Sequence, residues 1–246
     1  MAYFFTKTFW LDLLFPVRCL SCNRESQKKD KRESGQGLLC SNCRRLLKFA
    51  SQDYDLNISG VDQILIAGNY DDPLLASLIK KLKFNSMAAL GEVLADFIIL
   101  FWQGRAWQNY SDGMQSLRQQ KDTIQKNTIQ KNVVVVAPIP ISKKRHRARG
   151  FNQAEIIAKH FATAFTYEIT YHLIKIRHTK AQADLNAYQR SANLQDAFGW
   201  TGNSLQNKTI ILIDDVITTG ATIKEAARIL KAAGAKKIIA LAIAKG

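Results

Sequence analysis

Residues Ile210 to Thr222 read I-I-L-I-D-D-V-I-T-T-G-A-T, and this stretch decides the fold. The apolar β-formers Ile210 to Ile213 predict a buried strand. Asp214 and Asp215 stand at its carboxyl end. Thr218, Thr219, Gly220 and Ala221 form a small-residue turn, and Thr222 heads a helical pattern of Ile223, Ala226, Ala227 and Leu230. In open α/β sheets ligands bind at the carboxyl ends of strands. Free amides at a turn and helix N-terminus hold phosphate. Gly220 lets the backbone come close, and the threonine hydroxyls add donors. Two adjacent carboxylates would repel a phosphate, but they suit sugar hydroxyls. The stretch predicts a site for a phosphorylated sugar.

The flanking sequence supplies the sheet. Strands at Val133 to Val136, Leu173 to Ile176, Ile210 to Ile213 and Lys237 to Ala242 alternate with helices at Asn152 to Phe165 and Thr222 to Ala233. This alternation predicts an α/β fold with a doubly wound parallel sheet over residues 133–246. Upstream, residues 51–102 hold a strand at Ile64 to Ala67 and two helices packing on the core. Asp72-Pro73 opens the first helix as an acidic cap followed by proline. Its apolar face is Leu74, Leu75, Leu78, Ile79 and Leu82, which puts Lys80, Lys81 and Lys83 around the other side. The second helix runs from about Ala88 to Trp102. Residues 103–132 are rich in Gln, Asn, Ser and Lys, with T-I-Q-K-N twice in tandem, and read as a polar insertion or linker.

The chain has 246 residues, a formal net charge of +15 and four cysteines. The charge favours anionic partners: a phosphorylated ligand, nucleic acid or an acidic membrane surface. Cys19, Cys22, Cys40 and Cys43 form two C-x2-C pairs within residues 1–50. That spacing predicts a four-thiolate zinc module. A closed set of four leaves no open position, so the zinc is structural. The apolar N-terminal run, with Phe4, Phe5, Phe9 and Trp10, is too short to span a bilayer. It reads as packing against the body or as peripheral membrane contact, in a cytoplasmic protein.

Two further loops carry charge. Ala137 to Gln153 reads A-P-I-P-I-S-K-K-R-H-R-A-R-G-F-N-Q after the first strand of the sheet. Ser142 and Lys143 with nearby amides suit phosphate oxygens, and so do guanidinium forks. Lys144, Arg145, Arg147 and Arg149 exceed what one ligand needs, and the surplus suits a nucleic-acid backbone. The loop from Arg177 to Phe198 follows the next strand.

The strings K-R-H-R-A-R-G-F-N-Q-A, R-H-T-K-A-Q-A-D-L-x4-R-x2-N-x4-F and I-D-D-V-I-T-T-G-A-T resemble the competence protein F (ComF) family. So do L-D-L-L-F-P-x-R-C-L-x-C at Leu11 to Cys22 and L-I-K-x-L-K-F at Leu78 to Phe84. The resemblance implies a four-cysteine zinc module joined to a type I phosphoribosyltransferase domain that binds phosphoribosyl pyrophosphate (PRPP) with Mg2+. Asp214 and Asp215 would bind the ribose hydroxyls, directly or through Mg2+. Thr218, Thr219, Gly220, Ala221 and Thr222 would cradle the 5′-phosphate. Ile139, Ser142 and Lys143 would hold pyrophosphate, and Arg177 and Arg190 would stabilise its departure. His178 and Gln182 would contact an acceptor. It further implies a role in natural transformation, with single-stranded DNA and uptake proteins (a helicase, a membrane channel) as partners at the cytoplasmic side of the inner membrane. Two other readings stay open: a phosphoribosyltransferase of nucleotide salvage or synthesis, and a non-catalytic PRPP-sensing scaffold.

Overall fold

The computed structural model describes residues 16–27, 30, 35, 37–51, 54, 56–84, 87–114, 133–177 and 196–246, with backbone alone over 105–114. The N-terminal aromatic run, His178, Gln182 and Arg190 lie outside the described residues.

Strands β1 (Gln63–Asn69), β2 (Val134–Pro138), β3 (Glu168–Ile169), β6 (Thr209–Ile217) and β7 (Lys237–Lys245) form one sheet. Its order is β1-β7-β6-β2-β3, and every neighbouring pair is parallel. Parallel strands are buried on both faces, so their sequences run apolar without alternation. The pleat then sorts successive side chains to opposite sides. Ile211, Ile213, Val134, Val136, Ile239 and Leu241 enter one core with the helices α2 (Pro73–Phe84), α3 (Leu90–Met114) and α5 (Gln153–Phe165). Ile210, Leu212, Val135, Ala137, Ile238 and Ala240 enter the other with α6 (Ala221–Ala232). The doubly wound parallel sheet read from the sequence is the architecture found.

The boundaries carry three corrections. First, β6 does not stop before the acidic pair. It continues to Ile217 because β7 runs beside it to Lys245, pairing Asp214↔Ala242 and Val216↔Ala244. A buried neighbour's ladder decides where a strand ends, whatever its side chains carry. Second, the Leu173 run is not a strand of the main sheet. A left-handed turn at Thr166 (φ 58°) sends the chain straight from α5 into β3, which takes the sheet edge. Residues Leu173–Lys175 (β4) pair antiparallel with Phe198–Trp200 (β5) as a separate ribbon. Only Leu173 and Phe198 of its core-side residues are fully buried, whereas Ile174 and Ile176 are exposed. Third, α3 passes Trp102 and runs to Met114, into the segment read as an insertion. Polar composition does not stop a helix, and Gly104 only weakens it.

Asp72 caps α2 as read, its Oδ1 accepting from the Leu75 amide at 2.9 Å. The cysteine segment folds onto the first core: Cys19, Leu39, Cys40 and Cys43 join its buried cluster. Asp30, fully buried, accepts from Ser41 N (2.9 Å), Ser41 Oγ (2.6 Å) and Gln27 N (2.9 Å), and so holds helix α1 (Ser41–Arg44) in place. Arg44 and His160 both contact Asp96, at 3.1 Å each, and tie this segment to α3 and α5.

Phe161 sits at the centre of the α3–α5 interface, edge-on to Trp102 at 5.5 Å and beside Phe165 at 4.9 Å. Phe161→Ala should therefore lose about 3–5 kcal/mol of stability in urea unfolding. A loss under about 1 kcal/mol would mean that the two helices do not share this core.

Candidate functional site

A cavity of about 430 Å³ opens at the carboxyl ends of the parallel strands. Ile139 to Ile141 reach it from β2, Asp214 to Ile223 from β6 and α6, and Gly246 from β7. Tyr70 after β1, Lys83 at the end of α2 and Lys175 on β4 complete its rim and walls.

The turn after β6 is built for close backbone approach. Gly220 is left-handed (φ 77°), and a Cβ there would meet Ile58 Cδ1 at 2.4 Å. It is the N-cap of α6 and makes no side-chain cap hydrogen bond, so the helix N-terminus meets the cavity without a capping side chain. Thr218 and Thr219 are exposed beside it.

The pleat divides the two acids. Asp215 shares the face of Ile211 and Ile213 and meets Lys83, whose Nζ lies 3.0 Å from Asp215 Oδ2 with little of either side chain exposed. Asp214 shares the face of Ile210 and Leu212, toward β4 and Lys175. Asp214 Oδ1 accepts the Asp215 amide at 2.8 Å. Burial, and then the Asp215 charge, push the Asp214 carboxyl up to about 7; the amide bond and Lys83 act the other way. Burial lowers Lys175 to about 8, with Arg145 adding to the shift and Asp214 opposing it. Burial also lowers Arg149, while Asp215 opposes it.

The basic run after β2 is a short helix, α4 (Lys143–Arg149), capped by Ser142 Oγ accepting from Arg145 N at 3.3 Å. Helical spacing sorts its charges. Arg145 and Arg149, one turn apart, line the cavity, whereas Lys143, Lys144 and Arg147 are exposed. Ser142 is buried as a cap, and neither it nor Lys143 lines the cavity; Ile139 does. Asn152 fixes this loop to α5 by donating from Nδ2 to Ile139 O (3.0 Å) and accepting from Ala154 N (3.2 Å). Arg149 donates to Gln153 Oε1 at 3.0 Å, and its guanidinium lies 5.6 Å from the Phe84 ring. Arg177 does not line the cavity. It lies toward Glu225, which its charge helps to hold below the usual carboxylate range after Arg228 and the Asp196 amide.

Lys83, Lys175, Tyr70, Asn152 and Gln153 are cavity residues that sequence reading did not single out as ligand contacts. Helical spacing puts Lys83 on the outer side of its helix, away from the apolar stripe. The one local signal was its position at the last turn of α2, past the end of the apolar stripe. Among the described residues the cavity is lined by four cations, Lys83, Arg145, Arg149 and Lys175, against two carboxylates. Its lining has the charge and hydrogen-bonding groups that suit a polyanion carrying hydroxyls.

The four cysteine sulfurs all lie within 4.8 Å of one another, and Cys22 Sγ and Cys40 Sγ are 3.9 Å apart. Thiolates about 2.3 Å from a tetrahedral ion stand about 3.8 Å apart. No disulfide joins them. Burial opposes ionisation of Cys19, but the amides of Cys22, Cys40 and Ser21 bring its thiol down to about 6. The donor set is that of a metal site.

A parallel sheet carrying an acidic pair, a glycine-capped turn and a cation-rich cavity defines a phosphoribosyltransferase-type protein. The phosphoribosyl transferase domain model matches residues 107–246, so the chain belongs to that family. It is 27% identical to Competence protein F of Haemophilus influenzae over 180 residues, 72% of this chain and 70% of that protein. DNA utilization protein YhgH of Salmonella typhimurium matches at 27% over 180 residues, 72% of this chain and 69% of that protein. Competence protein ComFC of Bacillus subtilis matches at 38% over 96 residues, 39% and 38% of the two chains. Within the phosphoribosyl transferase class the chain is a member of the ComF family.

The Asp214 shift has a sign that stability measurements can read. A carboxyl raised in the folded state adds stability below its unfolded value of 3.8 and loses it as pH climbs toward about 7. Asp214→Asn should therefore gain stability relative to wild type between pH 4 and 7, measured by urea midpoints at each pH. A pH-independent difference would show that the carboxyl is not raised.

Proposed function

We propose that this chain is a PRPP-binding competence factor that acts in the handling of imported single-stranded DNA. The observation that carries it is the cavity: an amide cradle, two carboxylates and an excess of cations at one sheet end. Thr218 to Thr222 take the 5′-phosphate, Asp214 and Asp215 the ribose hydroxyls, and Arg145, Arg149 and Lys175 the pyrophosphate. Zinc fills the four-thiolate site and holds the cysteine segment folded against α3. Lys143, Lys144 and Arg147, outward on α4, suit a DNA backbone. The competence and DNA utilization names of the relatives support the pathway. No described helix is long and apolar enough to cross a membrane; uptake proteins at the inner membrane are the partners this role requires.

Transfer of the phosphoribosyl group to an acceptor is the second reading. It is favoured by three cations placed where a leaving pyrophosphate would gather charge. PRPP consumption over a panel of bases separates the two: turnover supports the enzyme, and binding without turnover the sensor or factor.

Asp214→Ala/Asp215→Ala should weaken PRPP binding at least about tenfold in calorimetry and lower transformation frequency in parallel. Unchanged PRPP affinity would remove the acidic pair from the site. For the cysteines, about one zinc per chain should be measured in the purified protein, and Cys40→Ser should release it and lower the melting temperature. A metal-free wild type with an unchanged melt would overturn the zinc reading.

A further inference from the structure

The carboxylate pair is where a divalent cation is expected in a site for phosphorylated ribose, yet the structure seats a lysine there. Lys83 comes from α2, outside the stretch that matches the phosphoribosyl transferase domain. Its ammonium lies 3.0 Å from Asp215 Oδ2, at the last turn of the helix, and both side chains are mostly buried. Asp214 turns to the other face of the strand and spends Oδ1 on the Asp215 amide. No third carboxylate lines the cavity among the described residues. With Asp215 on an ammonium and one Asp214 oxygen on an amide, the acid pair has few oxygens left for a metal and is already neutralised on one side.

We propose that Lys83 is the resident counter-ion of Asp215, filling the role a divalent cation would otherwise take, so that a polyanion enters this cavity without metal. The physical reason is charge. Without Lys83, an incoming phosphate group meets an Asp215 carboxylate answered only by Arg149, in a poorly hydrated wall where like charges repel strongly. With Lys83 in place that carboxylate is screened by a point charge that needs no fixed coordination geometry. Mg2+, which dehydrates reluctantly, would have to displace the ammonium to reach Asp215. The ion pair also makes the site depend on α2: the domain matched by the family is completed by a helix that precedes it in the chain. This inference rests on the cavity being a polyanion site, and it is tested with inorganic pyrophosphate rather than PRPP so that the two readings can fail separately.

The experiment is calorimetric titration of the full chain with pyrophosphate, in EDTA and in Mg2+. Wild type should bind in EDTA, with Mg2+ changing its affinity by less than about threefold. Lys83→Met should lose about tenfold in EDTA and recover most of it in Mg2+. The double variant Lys83→Met/Asp215→Asn, which removes the charge that Lys83 answers, should recover most of the loss of Lys83→Met in EDTA and gain little from Mg2+; that small Mg2+ effect keeps the test open if Lys83→Met alone fails to fold. A wild type that needs Mg2+, a Lys83→Met that binds normally in EDTA, or a double variant that stays weak would each overturn the proposal. Wild type that binds pyrophosphate in EDTA but not PRPP would leave the role of Lys83 standing and sink the PRPP reading.

Discussion

Everything at the ligand end of this protein depends on how the central strand β6 disposes of two adjacent carboxylates. A parallel strand is buried on both faces, and charge there is tolerated only when it is answered. The pleat leaves no choice about direction: Asp214 goes to one face and Asp215 to the other. Each face then supplies a lysine from a different element, Lys83 from α2 and Lys175 from β4. The cavity exists because the helix and the ribbon must come close enough to deliver those charges. The same closeness desolvates them, which is why Asp214 is held up near 7 and Lys175 down near 8. Such mutual displacement is common in sites that handle charged ligands.

The cysteine segment obeys the same logic on a smaller scale. It is too short to bury a core of its own, and it solves this by sharing one. Cys19, Leu39, Cys40 and Cys43 enter the cluster formed by α2, α3 and α5, while buried Asp30 satisfies the amide and hydroxyl at the start of α1. Four thiols within 4.8 Å would repel as thiolates unless a cation stood between them. The helices that carry this segment are the ones that deliver Lys83, so the cysteine cluster and the cavity are two ends of one packed layer.

Much of this was legible in the residues. The I-I-L-I-D-D-V-I-T-T-G-A-T stretch announced strand, acids, turn and helix because each signal is local: apolar run, charge, glycine, helical periodicity. The cysteine spacing announced its cluster for the same reason. The misreadings share one cause. Leu173 to Ile176 has strand character, but whether it joins the sheet or a ribbon depends on the left-handed turn at Thr166 and on the short β3 that takes the edge first. The basic run at Lys143 to Arg149 looked like one undivided charged loop until a serine cap wound it into a helix and turned two arginines inward.

The sequence by itself determined the parallel sheet, the glycine turn after β6 and the four-thiol cluster, since these follow from periodicity and spacing within short windows. Only the tertiary structure decided that β6 runs on through its acids, that Arg177 stays out of the cavity lining, and that Lys83 enters it. Periodicity tells a residue which face it is on. It does not say what lies across that face. Lys83 and Asp215 are far apart in the chain, and their ion pair is fixed by how α2 packs on the sheet.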